Sequence, residues 1–314
     1  MTRSRRGPST SLVIATYNWK RALELVLESV LRQRRLPEQV LIADDGSSDG
    51  TDAMLRAMAP RFAAAGVELV HLWQADDGFR KTRALNRAIA AARGDYVLMV
   101  DGDCILHREF VRSHLAFSRP HAFVFGSRVL LMEERTREIL RTGTVEIPLW
   151  TSGLKNRQNG VHFPLLGRLV RAPADPLKGT RGCNVAFWKR DAIAVNGFNE
   201  AFVGWGREDS EFGARLIFAG VARRKIKFAG VVFHLWHREN SRHAVEQQHR
   251  MYEEVVARRV KWAEVGLDRH LTPRADVVEP TDRAEVLTER TAAPGADTSA
   301  AAPFPALRAA AGHD

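Results

Sequence analysis

Four short stretches gather polar side chains in patterns suited to a charged ligand. DGD, residues Asp101, Gly102 and Asp103, sets two carboxylates on either side of a glycine that lets the backbone bend sharply. Two such carboxylates repel each other unless a cation lies between them. A hard divalent ion would fit, with waters and phosphate oxygens completing its octahedron. In DDGSSDGT, an aspartate such as Asp45 can accept the N–H of a pyrimidine or bridge ribose hydroxyls, although turn and capping roles also account for Asp44 and Asp45. TYNWK supplies Thr16, Tyr17 and Asn18, and the Tyr17 ring can stack on a base. GFRKTRALN places Arg80, Lys81 and Arg83 in the first turn of a helix, the end at which the dipole disfavours cations. That placement suggests an anion such as a diphosphate, and a solvated basic face explains it equally well.

The densest stretch is GWGREDSEF. Gly204 and Gly206 make the backbone around Trp205 permissive, and an indole face suits the apolar face of a sugar ring. A helix is expected from about Arg207 to Gly220. Negative charge in its first turn suits the dipole, which is a structural reason for all three acids. Spacing separates them. Asp209 shares a face with Phe212, Gly213 and Leu216, at i, i+3, i+4 and i+7. Glu208 sits one step round, and Glu211 stands four before Arg215, as in a routine surface pair. One base on the apolar side of a helix fits removal of a proton from an attacking hydroxyl, and Asp209 is the candidate.

These residues need elements that hold them. SLVIAT (11–16), QVLIAD (39–44), VELVHLW (67–73) and DYVLMV (95–100) read as buried strands. RALELVLESVLRQ, SDGTDAMLRAMAPRF and FRKTRALNRAIAAARG read as the helices between them, the second opening with the capping candidates Ser48 and Asp49. Strand and helix alternate, which predicts an α/β fold with a mostly parallel, Rossmann-like sheet and right-handed crossovers. Ligands bind beyond the carboxyl ends of such strands, where the polar stretches fall.

Composition bounds the reading. The 314 residues are 45% hydrophobic and 27% charged, an ordinary globular balance. No apolar run approaches the length of a membrane span, and SLVIAT is too short for a signal-peptide core, so a cytoplasmic protein is expected. Cys104 and Cys183 form no zinc spacing and no CxxC pair, and a disulfide is not expected. The formal charge is +10; residues 271–314 carry four Arg against seven Asp and Glu, so residues 1–270 carry +13. Basic clusters occur at Arg32, Arg34 and Arg35, at 223–227 and at 258–261. An anionic membrane surface or anionic substrate fits this charge, and no nucleic-acid motif accompanies it. The expected organisation is a loose arm (1–10), a first half (11–130), a second half with a C-terminal helix (131–270), and a disordered tail (271–314) rich in Ala, Pro, Thr and acids.

Taken in order, LVIATYN, VLIADDGSSDGT, GFRKTRALNRAI, YVLMVDGDCIL, KGTRGCNVAFWKRDAIAVNGFNEAFVGWGREDSEFGARL and VVFHLWH resemble the family-2 glycosyltransferases of GT-A fold. The later motifs are similar to a galactosyltransferase-type module, as in chondroitin-polymerase-like and lipopolysaccharide- or capsule-building enzymes. The resemblance spans roughly residues 10–240. It implies inverting transfer of a hexose or N-acetylhexosamine from a UDP-sugar to a glycan or lipid-linked acceptor, with Mn2+ or Mg2+. Under it, Thr16, Tyr17 and Asp45 face the uracil, with Asn18, Arg80 and Arg83 also on the nucleotide side. Asp101 lies near ribose and metal, and Asp103 binds the metal. A histidine after the last strand completes the metal site; FHLWH offers His234, at the family position, and His237 as the alternative. Arg181, Asn184, Trp205 and Gly206 are assigned to sugar or acceptor, Asp209 to the base, and Glu208 to donor or acceptor hydroxyls. Residues 130–175 match no usable pattern and are assigned to the acceptor region.

Two other classes remain. A sugar-phosphate nucleotidyltransferase usually carries a glycine-rich loop after its first strand, and TYNWKR lacks the glycines. A degenerate glycan-binding or scaffold protein would have no need of DGD, the Glu-Asp pair and the histidines together.

Overall fold

The computed structural model describes residues 7–167, 169–170, 173–179, 182–238, 244–271 and 282–288. Twelve strands run in chain order as β1 (Thr10–Thr16), β2 (Gln39–Asp44), β3 (Glu68–Trp73), β4 (Tyr96–Asp101), β5 (Cys104–Leu106), β6 (Ala122–Phe125), β7 (Arg128–Leu131), β8 (Leu154–Lys155), β9 (Asn184–Trp188), β10 (Ala222–Lys225), β11 (Val232–His234) and β12 (Arg283–Val286). The helices are α1 (Lys20–Leu31), α2 (Thr51–Ala64), α3 (Lys81–Ala91), α4 (Phe110–Phe117), α5 (Glu133–Thr142), α6 (Pro164–Gly167), α7 (Lys189–Ala194), α8 (Glu208–Phe218), α9 (Val245–Arg258) and α10 (Asp268–Leu271).

The early strands are uninterrupted apolar runs because both faces of their sheet are covered. Leu12 and Ile14 pack on one side with Leu23, Val26 and Leu55, from α1 and α2. Val13 and Ala15 pack on the other with Leu85 and Ile89 of α3 and Phe212 and Leu216 of α8. The large sheet runs β10-β6-β9-β4-β1-β2-β3-β12. Strands β4, β1, β2 and β3 are parallel neighbours, as the alternation predicts, whereas β9 is antiparallel to both β4 and β6. Thus β9, from the later part of the chain, lies between two strands of the earlier part, and the sheet has no seam at residue 130. A second sheet, β5-β11-β7-β8, continues from the end of β4 and packs on α1 and α5 through Ala22, Leu25 and Ile139.

Two sequence expectations change here. Residues 283–286, placed in a disordered tail, form β12, antiparallel to the β3 edge. Arg56 clamps it with two bonds to Glu285, of 2.6 and 2.7 Å. A four-residue strand with polar faces leaves no periodic signal; its pairing energy comes from the β3 edge it covers. The Glu211–Arg215 pair, expected on the surface, is fully buried. Arg215 Nε donates to Glu211 at 2.6 Å, and its other nitrogens donate to Glu211 and to the carbonyls of Val195 and Gly197. A guanidinium so satisfied can be taken out of water, and it ties α8 to the turn after α7. Glu211→Ala is therefore expected to destabilise the fold by about 3–5 kcal/mol, because it strands a buried cation. Glu246→Ala, which breaks the exposed Glu246–Arg250 pair on α9, should leave the urea midpoint nearly unchanged. Equal midpoint shifts in the two variants would refute the distinction.

Candidate active site

The carboxyl ends of β1, β2, β3 and β4 converge on one edge, and the polar stretches line it. Asp44 is fully buried. It accepts from Ser47 N at 2.8 Å and pairs with His71 at 2.9 Å, so its role is to hold the loop after β2. Asp49 accepts from Thr51 Oγ1 at 2.6 Å and from Lys20 N, at the start of α1, at 2.7 Å, while the N-cap position of α2 is Gly50, not the expected Ser48 or Asp49. Asn18 serves the same loop: its N–H donates to Ser47 Oγ at 2.9 Å and its Oδ1 accepts from Ser48 N at 2.8 Å. Its positive φ of 44° suits asparagine. Asn18 therefore latches two strand-end loops together.

Thr16, nearly buried at the end of β1, and exposed Tyr17 border Asp45. The Asp45 carboxylate is held by Gln74 Nε2 at 2.7 Å and by the Arg80 backbone N–H at 2.8 Å. Burial pushes its pKa up to about 6, against the pull of those two donors, with Asp76 and Asp44 adding to the rise. The Tyr17 hydroxyl donates to Asp76 at 2.8 Å. Gln74 and Asp76 were not read from the sequence. Their signal was position: QADD follows β3 directly, at the one strand end left without a functional assignment.

The arginines of α3 do not stand free. Arg80 pairs with Asp77 at 2.8 Å. Arg83 pairs with Asp282 at 2.6 Å and donates to Gln74 at 3.1 Å. The protein's own carboxylates thus supply anions at this helix start. Lys81 behaves differently: its Nζ lies 2.9 Å from Asp101 and 3.9 Å from Glu208. Burial lowers its pKa, but Asp101, Asp209 and Glu208 outweigh this and hold it well above the usual lysine value. Burial likewise raises Asp101, and Lys81 more than offsets this to keep it below the usual carboxylate range. Sequence reading grouped Lys81 with its neighbouring arginines; helical phase separates it from them.

Beyond Asp101, the chain turns through Gly102 so that Leu235 N donates to the Asp103 carbonyl at 2.9 Å. Antiparallel pairing of β5 with β11 puts Cys104 opposite His234. The Asp103 carboxylate then lies 3.6 Å from His234 Nε2 and 3.3 Å from His237 Nε2, so both candidate histidines reach it. Asp103, Cys104 and His234 present ligand atoms within 4.8 Å of one another. Cys104 and Cys183 are buried free thiols, and burial holds Cys104 well above the ordinary thiol pKa. A protonated thiol is a poor partner for a hard ion. The carboxylate oxygens and imidazole nitrogens of Asp103, His234 and His237 fit Mn2+ better, or Mg2+ with retained waters.

Helix α8 supplies the other side. Its first turn carries Glu208, Asp209 and Glu211. Glu208 is buried and accepts from Gly206 N at 3.2 Å. Asp209 Oδ1 is buried with no hydrogen-bond partner. Burial and the Glu208 charge push the Asp209 pKa up to about 7, against the pull of Lys81 and of the Gly182 backbone N–H. A Cβ on Gly182 would overlap this carboxylate, so only glycine lets the 182–184 backbone approach so closely. The GWG loop is pinned by a residue not read from the sequence. Gln248 of α9 donates to the carbonyls of Val203 and Gly204, each at 2.9 Å, and accepts from Arg207 N at 2.6 Å. A Cβ at Gly206 would overlap this amide. Trp205 stays 40% exposed, available to a ligand.

Asn184 is not available. Fully buried, it donates to the carbonyls of Ser127 and Gly230 at 3.0 and 2.8 Å and meets His114 at 3.0 Å. Both its N–H groups and its oxygen are engaged in joining β9 to the turns before β7 and β11 and to α4, which corrects its assignment to sugar or acceptor. Arg181 lies outside the described residues.

A parallel sheet whose strand ends hold these acids, completed by an antiparallel strand and an acid-bearing helix, defines the GT-A class of nucleotide-sugar folds. The profile described as Glycosyl transferase family 2 matches residues 11–167, and that described as N-terminal domain of galactosyltransferase matches residues 171–238. The chain belongs to glycosyl transferase family 2. It is 26% identical over 236 residues to chondroitin synthase of Escherichia coli, covering 70% of this chain and 34% of that protein. It is 27% identical to validoxylamine A glucosyltransferase of Streptomyces hygroscopicus subsp. limoneus, covering 68% and 49%. The chain thus spans about a third to a half of the length of these relatives. Among solved structures, TarS 1-349 of S. aureus superposes with a TM-score of 0.54 at 16% identity, covering 84% of this chain and 69% of that one. GalNAc-T7 with UDP, GalNAc and Mn2+ superposes at 0.58 and 13% identity, covering 80% and 48%.

The charge arrangement gives a signed prediction. Lys81→Met should raise the Asp209 pKa further above about 7, and Glu208→Gln should lower it. Carbon-13 carboxyl titration of the metal-free protein reads both shifts, and shifts of the same sign would refute the arrangement.

Proposed function

We propose that this protein is an inverting, divalent-metal-dependent transferase. It moves a hexose or N-acetylhexosamine from a UDP-sugar to a hydroxyl of a surface glycan or its lipid-linked precursor. The observation that carries this reading is Asp209: a carboxylate with an unshared oxygen and a pKa of about 7, held beside Lys81 and Asp101 at the head of α8. A base tuned near neutrality suits proton removal from an alcohol.

In this reading, Thr16, Tyr17 and Asp45 take the base and Asp101 lies near the ribose. Asp103 and His234 or His237 would hold the metal, which when bound offsets negative charge on the leaving diphosphate. The acceptor hydroxyl loses its proton to Asp209 as its oxygen forms a bond to the anomeric carbon. The bond from that carbon to the diphosphate breaks, and its electron pair leaves with the nucleotide. Glu208 and Trp205 hold sugar hydroxyls and the apolar sugar face, so orientation supplies much of the rate. Lys81 keeps Asp101 ionised, and Asp45 rests on its two protein donors before any nucleotide arrives.

Neighbours of the fold support the donor class. TarS 1-349 was solved with UDP and with UDP-GlcNAc, whereas a mannosyltransferase from Pyrobaculum calidifontis was solved with GDP-Man and Mn2+. The family relatives named as chondroitin synthases support a glycan as acceptor. No helix among the described residues is long and apolar enough to cross a membrane. In this reading a lipid-linked acceptor is met at an anionic membrane surface, to which residues 1–270, of formal charge +13, would be drawn.

Calorimetry with UDP, GDP and dTDP, with and without manganese, should show metal-enhanced binding of UDP above the others. Absence of metal-enhanced binding for all three would sink the reading and favour a glycan-binding protein of the same fold. Asp209→Asn should lower transfer by about 10²–10⁴-fold while UDP and manganese binding persist. In the unaltered protein, turnover should fall as pH drops below about 7, because protonated Asp209 cannot accept a proton.

A further inference from the structure

Away from the acidic centre, the fold leaves a group of large apolar side chains uncovered. Phe163, Leu165, Leu166 and Leu169 on and around α6 are 49, 65, 46 and 77% exposed, and Trp150 is 85% exposed. Leu149 packs on Gly160, which puts Trp150 beside the start of this segment. The segment is anchored. Phe163 N donates to Phe228 O at 2.8 Å, and buried Gly167 sits so close to the Lys227 carbonyl and the Phe117 ring that a Cβ would overlap them. The backbone is therefore fixed while its apolar side chains remain in water, a costly arrangement unless something covers them.

The rim of this face is cationic. Arg108 and Arg112 act on the charge of His162, which stacks on His107 with ring centroids 5.0 Å apart. Lys227 Nζ lies 5.1 Å from the Phe228 ring. Arg32 and Arg108 line a cavity of about 380 Å³ whose wall includes Trp150, Ile147 and Pro148. The acids nearby are few: Glu109 is already paired with Arg34 and Arg112, at 3.2 and 3.3 Å, and Glu146 lines the cavity.

We propose that Trp150, Phe163, Leu165, Leu166 and Leu169 insert into the headgroup boundary of an anionic lipid bilayer, with Arg32, Arg108, Arg112 and Lys227 on its phosphates. Indole, phenyl and leucyl groups beside basic residues are the composition that favours this interface. A second copy is the poorer partner. A two-fold contact through this face would set one arginine rim against the other in a chain of charge +10. The inference rests on the proposed function only for its purpose, delivery of the site to a lipid-linked acceptor.

The test is sedimentation of the full chain with vesicles of phosphatidylcholine, alone or mixed with phosphatidylglycerol, at low and physiological salt. The protein should partition onto the mixed vesicles and only weakly onto phosphatidylcholine. The combined variant Leu165→Ser, Leu166→Ser, Leu169→Ser should lose at least about tenfold in partitioning. Arg32→Glu with Arg108→Glu should weaken it as well, most at low salt. UDP calorimetry on every variant separates the two proposals: unchanged UDP binding with lost partitioning supports this face, and lost UDP binding in the unaltered protein bears only on the transferase reading. Failure of the unaltered protein to partition onto mixed vesicles overturns the inference, as does full partitioning by the serine variant. A dimer in sedimentation velocity that the serine substitutions dissolve reassigns the face to a second copy. Should the serine variant lose UDP binding through misfolding, undiminished partitioning of the arginine variant is the result that overturns it.

Discussion

The ion pair between Lys81 and Asp101, 2.9 Å long, stands where three acidic groups from two distant parts of the chain converge. Asp101 ends β4, and Glu208 and Asp209 open α8, more than a hundred residues later. Bringing them to one place costs Coulomb repulsion in a region that water reaches poorly. A single ammonium at the start of α3 offsets much of that cost and distributes the remainder unevenly. Asp101, in direct contact with Lys81, stays ionised. Asp209, further off and beside Glu208, bears the repulsion as a raised affinity for protons. Unequal neighbours thus give two aspartates of one cluster different proton affinities.

The geometry around that pair depends on close backbone approaches more than on side-chain packing. Gly182 admits the Asp209 carboxylate against the chain that leads into β9, and Gly204, with φ of +89°, lets the loop before α8 turn under Trp205. Gln248 then fixes the loop with three hydrogen bonds, from a helix on which it is the one fully buried residue. Rotation of α8 is prevented from its other side, where buried Arg215 grips Glu211 and two carbonyls. The acid-bearing helix is therefore held at both faces, as a group positioned to within a fraction of an ångström requires.

Much of this was legible in the sequence because it is local. Continuous apolar strands alternating with helical periodicity pointed to a mostly parallel sheet, which β4, β1, β2 and β3 form, and strand-end positions pointed to Asp45, Asp101 and Asp103. Helical phase set Asp209 apart from Glu211 on the expectation that Glu211 was exposed, and the structure instead buries Glu211 fully. The failures share one cause. Asn184 was assigned to sugar or acceptor on the family resemblance, but β9 runs antiparallel between β4 and β6 and turns that side chain inward to His114. Glu211–Arg215 has the spacing of a surface pair, and only the packing of α8 against the turn after α7 buries it. Strand β12 is visible only with the β3 edge in place. Each depends on partners that sequence proximity does not reveal.

The basic first turn of α3 shows how one physical argument admits more than one partner. Cations at a helix N-terminus are unfavourable, so an anion must be near. The anions are there, but most belong to the chain itself: Asp77 for Arg80, Asp282 for Arg83, Asp101 for Lys81. Even the backbone N–H at this terminus is taken, by Asp45. Asp282 comes from some two hundred residues away, just before β12, so the strand that covers the sheet edge also neutralises the helix beside the strand-end loops. Any diphosphate arriving at this edge must compete with carboxylates already in place for Arg80 and Arg83, and a divalent ion held near Asp103 would meet an Asp101 already shielded by Lys81. Occupancy of these cations by protein carboxylates, more than their number, sets how strongly this edge can attract an anion.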